Sequence, residues 1–74
     1  MKITVKLFAS LRTGRFKQEE RTYPIGISCQ QVAENLGINT DGVVIVLVNG
    51  RSEPLEQVLS DGDVLSFIAL VGGG

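Results

Sequence analysis

Residues 1–8 alternate, with Met1, Ile3, Val5 and Leu7 on one side and Lys2, Thr4 and Lys6 on the other. A period of two with β-branched members predicts a half-buried strand. Phe8 falls on the lysine side, so an aromatic ring is expected on the solvent face. Ala9 to Lys17 carries three cations around Gly14 and reads as a basic loop or short helical turn. Gln18 to Ile25 predicts a second, weaker strand, and Pro24, which has no N–H to donate, puts it at a sheet edge. After Ser28 the period changes: Cys29, Val32, Ala33 and Leu36 recur at helical spacing as one apolar stripe. Ser28 and Gln31 fit a capping box, Ile27 and Val32 fit a hydrophobic staple, and Gly37 fits a left-handed helix stop. Val43 to Val48 is apolar on both faces and predicts a strand. Asn49-Gly50 is the preferred pair for a type I′ hairpin, after which Arg51 to Glu53 returns briefly. Pro54 opens a short helical turn expected to point Leu55, Val58 and Leu59 inward. Asp61-Gly62-Asp63 is a turn, and Val64 to Val71 is a last strand that runs into Gly72-Gly73-Gly74.

This order, with one amphipathic helix, predicts a two-layer α+β domain: a small mixed sheet of four to five strands covered on one face. Placing the first and last strands side by side and parallel at its centre gives a β-grasp arrangement. Residues 1–71 form the domain and residues 72–74 a flexible tail. A 74-residue chain leaves little room for an internal active-site cavity. It contains no His and one Cys, which excludes an imidazole base, a Ser-His or Cys-His pair, and a His or multi-Cys metal site. No bound metal or cofactor is expected, and any chemistry is expected to belong to a partner. The single Cys suits a reducing compartment, and no apolar stretch reaches the length of a membrane span. A cytoplasmic protein with no membrane partner is the expectation.

Net charge is −1, unevenly spread. Residues 1–21 hold six cations against Glu19 and Glu20, and residues 22–74 hold Arg51 against six acids. With no aromatic residues interleaved among the cations, the pattern reads as solvated strand and loop surface, not a nucleic-acid site. Cys29 falls on the helix's apolar stripe and is expected to be packed and inert. Asp61 and Asp63 read as turn residues, and Glu19 and Glu20 as a solvated strand start.

Two regions are candidates for function. The first is the tail. Glycine has no Cβ, so three in succession can thread a narrow slot, carrying the terminal carboxylate roughly 10 Å beyond the sheet at about 3.3–3.6 Å per residue. The second is the sheet face opposite the helix. If Ile3, Val5 and Leu7 face the helix, then Phe8, Ile45, Leu47, Ile68 and Leu70 face outward and become neighbours. An exposed apolar patch of that kind marks a contact surface.

The chain resembles the ubiquitin-like sulfur carriers of the MoaD/ThiS family over essentially its whole length. Val5-Lys6-Leu7-Phe8-Ala9-Ser10-Leu11-Arg12 is similar to the family's opening strand and LFA-x-LR turn. Ile27 to Leu36 matches its helix, Val46 to Gly50 its VNG hairpin, Leu59 to Asp63 its L-x-DGD turn, and Gly73-Gly74 its functional tail. The resemblance implies a protein substrate, not an enzyme. The Gly74 carboxylate would be adenylated by an E1-like adenylyltransferase that consumes ATP, and then converted to a thiocarboxylate. Gly73 would keep the arm slim and Gly72 would lengthen it. Arg12 matches an arginine beside the outward face and could pair with an acidic group on the E1-like partner.

The implied second partner is a sulfur-accepting synthase, MoaE-like or thiazole synthase-like. Phe67 to Leu70 departs from the aromatic and Pro-Pro residues of some members. The Val-Gly-Gly-Gly end is closer to thiamin-type carriers, whereas the opening is molybdopterin-type. Molybdopterin or tungstopterin synthesis, thiamin synthesis and other sulfur transfer therefore stay open as the acceptor pathway. A modifier joined to lysines through Gly74 and a non-covalent adaptor that uses the outward face are the alternatives.

Overall fold

The computed structural model describes residues 1–41 and 44–69. Five strands and one helix follow in the order β1 (Lys2–Phe8), β2 (Gln18–Thr22), α1 (Cys29–Asn35), β3 (Val44–Val48), β4 (Arg51–Ser52) and β5 (Val64–Ala69), with a 3₁₀ turn at Ala9–Arg12. The sheet order is β2-β1-β5-β3-β4. β1 and β5 pair in parallel at the centre, and every other pairing is antiparallel. This is the expected β-grasp arrangement.

One core lies between the sheet and α1. Ile3, Val5 and Leu7 from β1, Leu65 and Phe67 from β5, and Val46 and Val48 from β3 meet Cys29, Val32 and Ala33 of the helix. Strand alternation supplies the first seven and the helical stripe the last three. The helix begins as its sequence predicts. The Gln31 N–H donates to Ser28 Oγ at 3.2 Å while the Ser28 N–H donates to Gln31 Oε1 at 2.9 Å, a complete capping box. Gly37, at φ 71°, closes the C-terminal end in the left-handed region. Ser28→Ala is expected to cost about 1 kcal/mol, because one helix N–H loses its acceptor. Urea unfolding of the two proteins measures this.

The β3–β4 hairpin turns at Asn49 (φ 52°) and Gly50 (φ 82°), the two positive values that a type I′ turn requires. Asn49 also ties the hairpin to the Ser60–Asp63 turn. Its amide donates to Asp63 Oδ1 at 2.9 Å, and its Oδ1 accepts from the Val64 N–H at 2.9 Å.

Two expectations need correction. β2 ends at Thr22, not Ile25. Tyr23 still exchanges backbone hydrogen bonds with Met1, but Pro24 has no donor and the chain turns there. Ile25 is consequently 92% exposed. After Pro54 the chain makes one turn, closed by the Gln57 N–H on the Pro54 carbonyl at 3.0 Å, and then extends to bridge Val58 with Ser28. Period two therefore replaces helical spacing. Leu59 is buried and Leu55 half-buried, while Val58 points outward and is 53% exposed. The boundary expected at residues 71/72 lies outside the described residues. Among the described residues no helix is long and apolar enough to cross a membrane.

Candidate functional site: the outward sheet face and the segment that follows it

The strand registers place the outward residues on a grid. Phe8 of β1 stands opposite Ile68 of β5, and Ile68 opposite Ile45 of β3, giving one apolar row across three strands. In the next row Lys6 stands opposite Ser66, and Ser66 opposite Leu47. The predicted neighbours Phe8, Ile45, Leu47 and Ile68 are thus brought together. They are half-buried instead of fully exposed, because side chains on adjacent strands about 4.8 Å apart shield one another. Leu70, the fifth, lies outside the described residues.

Ser66 is a member of this face that the apolar pattern passes over. It is only 8% exposed although it points away from the core. The longer side chains of Lys6 and Leu47 on either side account for this. Its own alternation with Leu65 and Phe67 was the available signal.

Arg12 is brought to the end of the row by the 3₁₀ turn. Ala9 takes φ 56°, a left-handed value at a residue with a Cβ, and swings the chain back across the end of β1. Leu11 anchors the turn in the core at 3% exposure. Arg12 Nε then donates to the Leu7 carbonyl at 2.7 Å, and the guanidinium carbon stands 5.4 Å from the centre of the Phe8 ring. That places it within cation–π range. Arg12 is therefore exposed yet held at two points.

Arg15 fixes the far side of the same loop. It donates to the carbonyls of Leu11 (3.2 Å), Leu36 (3.0 Å) and Gly37 (2.9 Å), joining the loop to the end of α1. The bonds to Leu36 and Gly37 each span more than twenty positions, so no local sequence pattern signals them. Ser10 Oγ is buried with no hydrogen-bond partner among the described residues.

Gly72, Gly73 and Gly74 lie outside the described residues. Cys29 is fully buried, and burial pushes its thiol from 9.0 up to about 11. It stays protonated at neutral pH and is no nucleophile. The folded protein is expected to leave Ellman's reagent unreacted at mildly alkaline pH and to react with it in denaturant. Because the unfolded thiol ionises first, stability is expected to fall as pH rises from 9 towards about 11.

Asp61 and Asp63 are turn residues as expected. Asp61 Oδ1 accepts from the Lys2 N–H, and Asp63 Oδ2 from the Ser60 N–H, both at 2.7 Å. Glu19 pairs with Arg21 at 2.7 Å and Glu20 with Lys2 at 3.6 Å. No acidic, His or Cys cluster suited to a metal occurs among the described residues. Open polar clefts among the described residues include one around Arg21, Tyr23 and Asn35 and one around Arg51, Glu53 and Asp63. Neither lies at the Ala69 end of β5.

The sequence matches the ThiS family over residues 5–74, and the chain belongs to that family. Its relatives are sulfur carriers and ubiquitin-like proteins built on the β-grasp fold. A Pyrococcus furiosus protein assigned as molybdopterin converting factor subunit 1 is 28% identical, with a TM-score of 0.78, over 96% of this chain and 99% of that one. SAMP1 of Haloferax volcanii is 22% identical with a TM-score of 0.76, each chain covered in full. The complex of subunits 1 and 2 of the molybdopterin-converting factor from Helicobacter pylori contains a chain 21% identical with a TM-score of 0.67, again over both full lengths. No curated protein sequence matches the chain.

Proposed function

We propose that the protein is a sulfur carrier whose Gly74 carboxylate is adenylated by an E1-like enzyme and converted to a thiocarboxylate for cofactor biosynthesis. The observation that carries this reading is that the family match runs through Gly74, so it includes the three-glycine end together with the fold. A carboxylate is a poor acyl donor. Transfer of AMP from ATP gives a mixed anhydride, and a sulfur nucleophile then displaces AMP, forming the carbon–sulfur bond. The carrier needs no general base for these steps, in keeping with a chain that has no His. Its own contribution is a rigid sheet presenting a contact face, with the reacting group at the end of the segment that follows β5.

The 28% identity to a molybdopterin converting factor subunit 1, with the LFA-x-LR turn built around Phe8 and Arg12, favours a molybdopterin-type acceptor. A MoaE-like subunit is then the downstream partner, as the Helicobacter pylori complex pairs subunit 1 with subunit 2. ATP is consumed by the activating enzyme, and this chain binds no cofactor of its own. The protein is a substrate in this scheme and works in the cytoplasm.

Intact-protein mass spectrometry tests the proposal, with ATP, a sulfur donor and the host's activating enzyme. Wild type is expected to gain the mass of one sulfur in place of one oxygen, located on Gly74. A chain lacking Gly73 and Gly74 is expected to gain nothing. No gain on wild type, with an enzyme shown to be competent on another carrier, overturns the reading. Adducts on the lysines of other proteins, with no thiocarboxylate, would instead identify a modifier.

A further inference from the structure

β2 leaves one edge of the sheet open. It pairs with β1 on one side, and among the described residues nothing is paired with its other side. An open cleft lined by Glu19, Arg21, Tyr23 and Asn35 runs beside it. The opposite edge of the sheet, β4, is only Arg51–Ser52 and is too short to template another strand. Natural edges are commonly blunted by bulges, prolines or charges. β2 keeps an unbroken register with β1 from Lys2↔Thr22 to Lys6↔Gln18, and its first proline comes only at Pro24.

The free backbone groups of this edge fall on alternate residues. The Leu7 N–H donates to the Lys17 carbonyl at 2.9 Å, and Met1 and Tyr23 exchange bonds at 2.8 and 2.9 Å. In an antiparallel ladder, residues two apart aim their backbone groups the same way. The odd-numbered residues of β2 therefore turn theirs to β1, and Gln18, Glu20 and Thr22 turn theirs to solvent. The side chains alternate between the faces. Glu19 and Arg21 stand opposite Val5 and Ile3, hence on the helix side, while Glu20 stands opposite Thr4 on the outward face.

A second copy of β2 laid antiparallel on this edge must bond through the even-numbered residues. Its charges then select the register. With Glu19 or Arg21 at the two-fold axis, that residue meets its own like charge in the second copy, which is destabilising. With Glu20 at the axis, Gln18 meets Thr22, and each Glu19 stands directly opposite an Arg21 of the second copy. Glu19 and Arg21 already pair within the chain at 2.7 Å, so the two copies close a square of four alternating charges. The two Glu20 side chains do face each other, but each lies 3.6 Å from its own Lys2.

We propose that β2 is a self-association edge, to which a second copy of this chain adds its own β2 with Glu20 at the two-fold axis. The two sheets become one, held by backbone bonds at Gln18, Glu20 and Thr22 and by the Glu19–Arg21 square. The apolar row of Phe8, Ile68 and Ile45 takes no part, so the pairing neither needs the carrier reading nor conflicts with it. Two short strands bury less than the roughly 1,200 Å² of a stable interface, so the dimer is weak and forms at high concentration.

The test is sedimentation velocity of the full chain from about 20 μM to about 2 mM, with amide chemical shifts followed over the same range. Wild type is expected to pass from monomer to dimer, with the shifts concentrated at Gln18, Glu20 and Thr22. Glu19→Arg and Arg21→Glu each set like charges opposite one another twice, and each is expected to weaken the dimer about tenfold or more. Arg21 also donates to Tyr23 Oη at 3.0 Å and lies over the Phe16 ring, so Arg21→Glu alone could act through the fold. An equimolar mixture of the two variants separates these causes. It restores opposite charges in both cross-strand pairs and is expected to dimerise at least as well as wild type. Wild type that stays monomeric at about 2 mM overturns the proposal. So does a dimer whose shifts centre on Phe8, Ile45 and Ile68, or a mixture that associates no better than either variant alone.

Discussion

Replacing Phe67 by Ala is expected to remove about half of the protein's stability. Phe67 is the largest fully buried side chain, and it sits on the central strand opposite Leu7 on one side and Val46 on the other. Removing a buried ring costs about 3–5 kcal/mol, because transfer energy is lost and a cavity remains. A domain of 74 residues has roughly 4–11 kcal/mol in all. The melting temperature is expected to fall by at least about 12 °C. Phe67→Leu, which keeps most of the volume, is expected to cost about 1.5 kcal/mol or less. A loss below about 1 kcal/mol for Phe67→Ala would show that α1 can settle onto the sheet to fill the space. Thermal unfolding followed by far-UV circular dichroism decides between these outcomes.

The elements that could be read from sequence are those whose chemistry is local. β1 announces itself by alternation, α1 by Ser28, Gln31 and Gly37, and the hairpin by Asn49-Gly50. Each of these is completed within a few residues, and the structure shows each in place. The outward face follows from the same alternation once β1 and β5 are set side by side. What stayed hidden depends on distant partners. The Arg15 clamp needs the end of α1, and the exposure of Val58 needs its bridge to Ser28. Ser66 carries no apolar signature, although the alternation that exposes Ile68 also turns Ser66 outward. Arg12 was named through resemblance alone. Its attachment to the Leu7 carbonyl and the Phe8 ring depends on the positive φ of Ala9, which no residue-type preference announces.

Phe8→Ala is the counterpart to Phe67→Ala on the same sheet, and the two are expected to separate fold from function. The Phe8 ring is half-buried on the outward face, where it stands opposite Ile68 across the strand pair and lies under Arg12. Its loss is expected to cost no more than about 1–1.5 kcal/mol of stability, far less than a buried ring. At an interface the same ring becomes a central anchor, and truncating such a residue costs about 2 kcal/mol or more. It also releases Arg12 from its stacked position. The activating enzyme is therefore expected to show a KM for the variant raised about 30-fold or more, with kcat nearly unchanged, because the ring contributes equally to the bound carrier and to the transition state. A fall in kcat at unchanged KM would mean that Phe8 aligns the Gly74 carboxylate with ATP after docking. An unchanged KM and kcat would remove the outward face from the activation step and leave recognition to the residues beyond Ala69. The steady-state rate of pyrophosphate release, measured as a function of carrier concentration, distinguishes the three.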